Sequence, residues 1–270
     1  MSVLTYEMHP GGARFVGQHG GFAEASAALP PGSYTTLRTY GGRRVVRLRE
    51  HLRRLERSAI LQGRPGGLDE AGARRAVAAA LDATGHPESR ARLTFSPPRL
   101  FVSVEPFTPL RPEVYTQGVA CVTVDVRRDN PEAKDTRFIA AATDAYAHLP
   151  AGVEEGLLLG EEGEVLEGLS SNFLAVLDGV LRTEDARALP GVTRALVLEL
   201  AAMRLPVVRR AVRRDELPRL SEAFITSVSR EVLPVVRIDG RPVGDGRVGP
   251  WTRRIMDGFA EAVRREAEPL

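Results

Sequence analysis

The sequence predicts a two-domain protein that mixes α-helix and β-strand, and three observations carry that prediction. The chain has 270 residues, enough for one large core or two modest ones. Apolar residues recur at helical spacing in some segments and form short β-type runs in others. Proline thickens at Pro106, Pro109 and Pro112. That stretch marks a boundary between a small N-terminal α/β domain, 1–112, and a larger C-terminal domain, 113–270.

In chain order, Tyr34 to Tyr40 reads as a strand, rich in threonine and aromatic residues. Leu48 to Gln62 reads as a helix because Leu48, Leu52, Leu55 and Ala59 share one face, and Gly63 stops it. Leu68 to Thr84 is a second helix, alanine-rich and ended by Gly85. Two strands follow, Arg90–Phe95 and Leu100–Val104, joined by a turn at Pro97-Pro98. Beyond the boundary, Val119–Val124 is an apolar run, and Gly156–Gly160 and Phe173–Leu177 are strands. Asp178-Gly179 has hairpin-turn chemistry. Val192 to Met203 is a helix with Val192, Leu196, Leu200 and Met203 on one face. Ala223–Val228 and Val232–Ile238 are strands, and Asp239-Gly240 is another turn. Pro250 opens a last amphipathic helix through Trp251, Ile255, Phe259 and Val263.

Composition narrows the functional classes. Hydrophobic residues make up 43% of the chain and charged residues 27%, the balance of a globular protein. The net charge is only +2, and the arginine pairs are interspersed with acids, so no nucleic-acid footprint is expected. Cys121 is the sole cysteine and lies in an apolar run, which points to a buried structural thiol and a reducing compartment. No Cys-based metal site is expected. No apolar run approaches the length of a membrane span, and the first residues do not open a signal peptide. A cytoplasmic location is expected.

Lys134 is the only lysine among 37 basic residues. A guanidinium stays protonated, whereas an ε-amine can lose its proton and attack a carbonyl. A chain that keeps one lysine has an amine for Schiff-base or proton-shuttle chemistry at one place. One lysine surviving by chance in an arginine-biased chain is the alternative. Three other segments gain meaning beside it. Glu167 precedes Gly168-Leu169-Ser170-Ser171-Asn172, a carboxylate followed by small hydroxyl residues and an amide. Leu189-Pro190-Gly191-Val192-Thr193-Arg194 opens a helix, whose free N–H groups and dipole suit an anion. Arg54 lies on a helix three residues after His51, beside the apolar stripe. Amine, carboxylate and anion cradle are together the parts that hold pyridoxal phosphate.

With these motifs in this order, the chain resembles the class IV aminotransferases, the fold-type IV pyridoxal-phosphate enzymes. That group includes branched-chain and D-amino acid aminotransferases and aminodeoxychorismate lyases. The resemblance runs from about Tyr34 to Phe259. It is densest at 49–55, 155–172, 181–194 and 233–259, the last carrying Asp239-Gly240 and Gly244-Asp245-Gly246. It implies an α/β (α+β) fold of two domains, the larger with a mixed, barrel-like sheet. It also implies pyridoxal 5'-phosphate as cofactor, in a cleft between the domains, and a homodimer. By resemblance, Lys134 binds the cofactor aldehyde and moves the proton, and Glu167 faces the pyridine nitrogen. Arg54, Val192 and Thr193 hold the phosphate, and Leu189 packs near the ring. Relatives often add a phosphate-binding threonine where this chain has Val228. Only the Val228 N–H could serve there, with Ser227 or Ser229 supplying a hydroxyl.

The expected reaction is transfer of an amino group between an amino acid and a 2-oxo acid. Tyr34 aligns with an aromatic residue near the substrate in relatives. Arg230 is an unusual charge beside the expected phosphate turn. Either it or the N–H groups of Ser229 and Arg230 contact a substrate carboxylate, or it points to solvent and pairs with a nearby acid. Tyr34-Thr35-Thr36-Leu37-Arg38 also resembles the corresponding run of the lyases, so release of pyruvate and 4-aminobenzoate is the alternative. A non-catalytic relative of the fold is the remote one.

Overall fold

The computed structural model describes residues 2–9 and 12–270, and the chain divides into two compact units. The first unit comprises Met1–Thr108, Glu132–Ala140 and Val263–Leu270, and the second Pro109–Pro131 and Ala141–Ala262.

The first unit is built on a five-stranded antiparallel sheet. Its elements in chain order are β1 (Val3–His9), β2 (Gly12–His19), α1 (Phe22–Ala27), β3 (Ser33–Arg38), β4 (Arg44–Val46), α2 (Leu48–Leu61), α3 (Glu70–Thr84), β5 (Ser89–Ser96) and β6 (Arg99–Pro106). The sheet order is β2-β1-β6-β5-β3, and β4 pairs separately with Ala267–Pro269. β3 alternates: Ser33, Thr35 and Leu37 are buried, while Tyr34, Thr36 and Arg38 are half-buried. The helices α2 and α3 pack their apolar stripes on this sheet in one cluster with Leu37, Leu93, Phe95 and Val102. Gly85 ends α3 in a left-handed conformation, φ 63°, which favours glycine. The N-terminal hairpin β1–β2 and α1 had no assignment from sequence. β2 is exposed along most of its length and lacks the apolar alternation that reveals a strand.

The second unit contains α4 (Pro112–Gln117), β7 (Val119–Val124), most of α5 (Phe138–Ala147), β8 (Val153–Leu159), β9 (Val165–Gly168), β10 (Asn172–Leu177), β11 (Val180–Arg182), α6 (Val192–Ala202), β12 (Val207–Val208), β13 (Glu222–Ser227), β14 (Glu231–Ile238), β15 (Arg241–Pro242) and most of α7 (Pro250–Glu266). Six strands close on themselves in the order β10-β13-β14-β7-β8-β9, the ring completed where Asn172 pairs with Glu167. Each of the six contributes to one buried cluster through Cys121, Leu157, Val165, Phe173, Ile225 and Leu233. A cluster fed by every strand of a closed sheet fills its interior. The mixed α/β class with a barrel-like sheet is therefore observed.

The chain divides differently from the expected 1–112 and 113–270. The break near Thr108 lies close to the proline-rich stretch, but the Lys134 segment belongs to the first unit. Ser33 and Asp135 form an antiparallel bridge, and the Tyr34 N–H donates to the Lys134 carbonyl at 2.8 Å. Gly32 and Thr136 exchange two hydrogen bonds of 3.0 and 3.1 Å. These pairings join residues a hundred positions apart, so no local composition signals them.

Candidate active site

In the first unit, Lys134 is anchored at both its backbone groups. Its N–H donates to Ser58 Oγ at 3.1 Å, and its carbonyl accepts from Tyr34. Ala133 before it is fully buried and fixes the segment in the core. Lys134 Nζ lies 4.7 Å from the centroid of the Tyr34 ring, a cation–π distance. The structure thus brings Lys134 and Tyr34 together.

The α2 helix presents His51, Arg54 and Ser58 from one face, at spacings of three and four residues. Arg54 is 9% exposed and donates from Nη2 to Thr35 Oγ1 at 2.9 Å. Thr35 Oγ1 lies 2.8 Å from His51 Nδ1. The Thr35 hydroxyl thus links the guanidinium to the imidazole. Burial holds the His51 pKa well below its ordinary value, and the charges of Arg54 and Lys134 lower it further. His51 is neutral, and the chain Arg54–Thr35–His51 fixes Arg54 on the sheet.

Sequence reasoning missed Arg92. Its guanidinium lies 4.8 Å from the Tyr34 centroid and 4.6 Å from that of Phe22. Nη1 donates to Ser26 Oγ and the Phe22 carbonyl, while Nε has no hydrogen-bond partner among the described residues. Two cations, Lys134 and Arg92, thus share one tyrosine ring. In sequence, Arg92 was one arginine of many in a strand, and only the pairing of β3 with β5 puts it beside Tyr34.

In the second unit, Glu167 is 3% exposed and held by three donors. Arg128 Nη1 reaches Oε1 at 2.8 Å, the Leu189 N–H reaches Oε2 at 3.0 Å, and Asn172 Nδ2 lies 3.5 Å from Oε2. Asn172 Nδ2 also donates to the Leu189 carbonyl at 2.8 Å. Leu189 is therefore strapped by both backbone groups to the β9–β10 pair. The next turn carries Gly191 against Asn172, where a Cβ would stand 2.0 Å from Asn172 Oδ1. This close approach sets the start of α6, with Val192 buried and Thr193 half-buried, beside Asn172. Among the described residues no side chain caps that helix start.

Cross-strand partners share a sheet face, so Glu167, Asn172 and Thr226 form one row across β9, β10 and β13. Val228 and Ser229 follow Thr226 in a half-buried turn. Ser227 Oγ accepts from the Arg230 N–H at 3.2 Å, which ties that hydroxyl to the turn itself.

Arg230 pairs with an acid, as one reading expected, but it is buried rather than pointing to solvent. It is 9% exposed, and its Nη2 reaches Glu155 Oε2 at 2.6 Å and Ser170 Oγ at 2.7 Å. Nη1 reaches Glu154 at 3.3 Å. Glu155 is fully buried and also binds Tyr146 Oη at 2.5 Å and Ser171 Oγ at 2.8 Å. The expectation that the Arg230 side chain meets a substrate carboxylate is thereby corrected, because the guanidinium is committed to a buried carboxylate.

Comparison with known proteins agrees in direction. A family model described as amino-transferase class IV matches residues 32–238. The chain is 32% identical over 166 residues to the branched-chain-amino-acid aminotransferase of Pseudomonas aeruginosa, covering 58% of this chain and 53% of that protein. The match thus spans about half the length of that curated relative. Among solved structures, the branched-chain aminotransferase of Thermoproteus uzoniensis with norvaline superposes with a TM-score of 0.79 at 26% identity, covering 100% of this chain and 99% of that one. A T.th. branched-chain amino acid aminotransferase with pyridoxamine 5'-phosphate gives a TM-score of 0.79 at 25% identity, covering 97% and 94%.

Proposed function

Because the chain belongs to the class IV aminotransferase family, we propose that it transfers an amino group between an amino acid and a 2-oxo acid, using pyridoxal 5'-phosphate held by Lys134. The observation that carries the proposal is Lys134 itself, the chain's one lysine, locked at both backbone groups with Nζ over Tyr34. The named relatives are aminotransferases, which supports transfer over the lyase alternative.

The residues present fit the cofactor. Among the described residues the Thr226 hydroxyl is buried without a partner and no side chain caps the α6 start, and Arg54 is held rigidly. When bound, pyridoxal phosphate supplies an aldehyde and an electron-withdrawing ring. Lys134 would bind the aldehyde carbon and carry a proton at Nζ. Glu167 would face the ring nitrogen, its orientation fixed by Arg128, Asn172 and the Leu189 N–H. Leu189 would pack against the ring, as its strap to Asn172 keeps its backbone in place. Arg54, the N–H groups of Val192, Thr193, Val228 and Ser229, and the Thr193 hydroxyl would hold the phosphate. Arg92, stacked on Tyr34, would receive the substrate carboxylate in the place first given to Arg230. The substrates to assay first are branched-chain amino acids, as in the relatives' names. A homodimer and a cytoplasmic location belong to the same reading. The second is in keeping with a single, buried cysteine.

The test is a visible spectrum of protein incubated with pyridoxal 5'-phosphate, followed by an amino acid. The wild type is expected to show bound-cofactor absorbance that changes with substrate, and K134R, which keeps the charge, to show none. A featureless wild-type spectrum overturns the reading.

A further inference from the structure

Thr226 is 2% exposed, and its Oγ1 has no hydrogen-bond partner among the described residues. A hydroxyl buried in this way is costly unless something pairs with it. Its neighbours in the row do not satisfy it. Asn172, opposite on β10, gives its amide to Leu189 and Glu167, and Val232, opposite on β14, has no polar side chain. The same row adjoins the start of α6, because Gly191 packs directly against Asn172. Two residues further along, Val228 has no hydroxyl, and Ser227 Oγ accepts from Arg230.

We propose that the Thr226 hydroxyl donates a hydrogen bond to the phosphate of the bound cofactor, supplying from strand β13 what Val228 in the turn lacks. The inference rests on the cofactor reading above. A doubly charged phosphate needs several donors at once. The α6 start provides N–H groups, and Thr226 adds an O–H on the adjoining sheet face. An apolar residue of the same shape would remove the donor without opening a cavity, so T226V isolates the hydroxyl.

The experiment titrates cofactor-free wild type and T226V with pyridoxal 5'-phosphate, and separately with pyridoxal, which lacks the phosphate. Binding is read from absorbance, and thermal unfolding of the cofactor-free proteins is recorded in parallel. T226V is expected to bind pyridoxal 5'-phosphate about ten- to a hundredfold more weakly, the loss of one hydrogen bond to a charged group. Pyridoxal affinity is expected to be unchanged, and the cofactor-free Tm equal or higher, because an unpaired buried hydroxyl is gone. Equal affinity of both proteins for pyridoxal 5'-phosphate overturns the assignment and leaves the hydroxyl to an internal water. An equal loss toward pyridoxal also overturns it, since the contact would then be to the ring. If the wild type binds neither compound, the cofactor reading itself fails.

Discussion

Arg230 and Glu155 form a buried pair whose halves depend on each other. Burial, the largest single influence, would pull the guanidinium pKa down, but Glu155, Tyr146 and Glu154 together raise it. Removing one partner of such a pair leaves a charge stranded in the interior, at a cost of about 3–5 kcal/mol. R230M is therefore expected to lower unfolding stability by about that amount in urea titration. E155Q/R230M should recover part of the loss, because no lone carboxylate remains. If R230M unfolds at the wild-type urea concentration, the pair is not the buried commitment described. From sequence, the charge at 230 was legible as unusual, but its partner was not. Glu155 lies 75 positions away, and a lone arginine carries no record of which carboxylate it faces.

The start of α6 shows how much an element's beginning depends on its surroundings. The Pro-Gly-Val-Thr signature and the stripe Val192, Leu196, Leu200 and Met203 made the helix readable, and it runs over Val192–Ala202, with Met203 beyond its end and exposed. What the signature did not contain is the strap of Leu189 to Glu167 and Asn172. Gly191 is needed there for space, because its φ of −67° is ordinary for any residue. G191A would drive a methyl into Asn172 Oδ1 and displace the amide from the Leu189 carbonyl. The expected cost is about 1–3 kcal/mol of stability, typical of an overpacked site, measured by urea unfolding. Weaker pyridoxal 5'-phosphate binding should accompany it in absorbance titration. Wild-type stability and affinity in G191A would show that the strap is not rigid. The β1–β2 hairpin is the opposite case. Its exposed second strand shows no periodicity, and long-range pairing of β1 with β6 holds it in the sheet.

At the scale of the molecule, several groups make the fold sensitive to acid, among them Glu7 and His51, with Glu164 and Glu216 also held below the ordinary carboxylate range. Glu7 is pulled down to about 2, chiefly by hydrogen bonds from Arg99 and then Arg14. Its contribution is present above the unfolded carboxylate pKa and is lost as pH falls towards 2. His51 is held neutral by burial, so below about 6.5 the unfolded chain takes up a proton that the folded one does not. Stability should therefore decline in two stages, beginning near about pH 6.5 and steepening below about 4.5. Urea midpoints measured against pH check this, with E7Q expected to flatten only the lower stage. A midpoint constant from about pH 7 to about pH 5 would contradict the neutral, buried His51. No helix of the described residues is long and apolar enough to cross a membrane.

The sequence by itself determined the mixed α/β class, most helices and strands after Tyr34, and the order of Lys134, Glu167 and the α6 signature. Those are local properties: periodicity, turn chemistry and residue type act over a few positions and survive without a fold. Only the tertiary structure decided that the Lys134 segment joins β3, that Arg92 shares the Tyr34 ring, that Arg230 is committed to Glu155, and that Thr226 is buried without a partner among the described residues. Each depends on strand pairing between distant segments. The register of a sheet is set by the packing of the whole unit rather than by any stretch of the chain read alone.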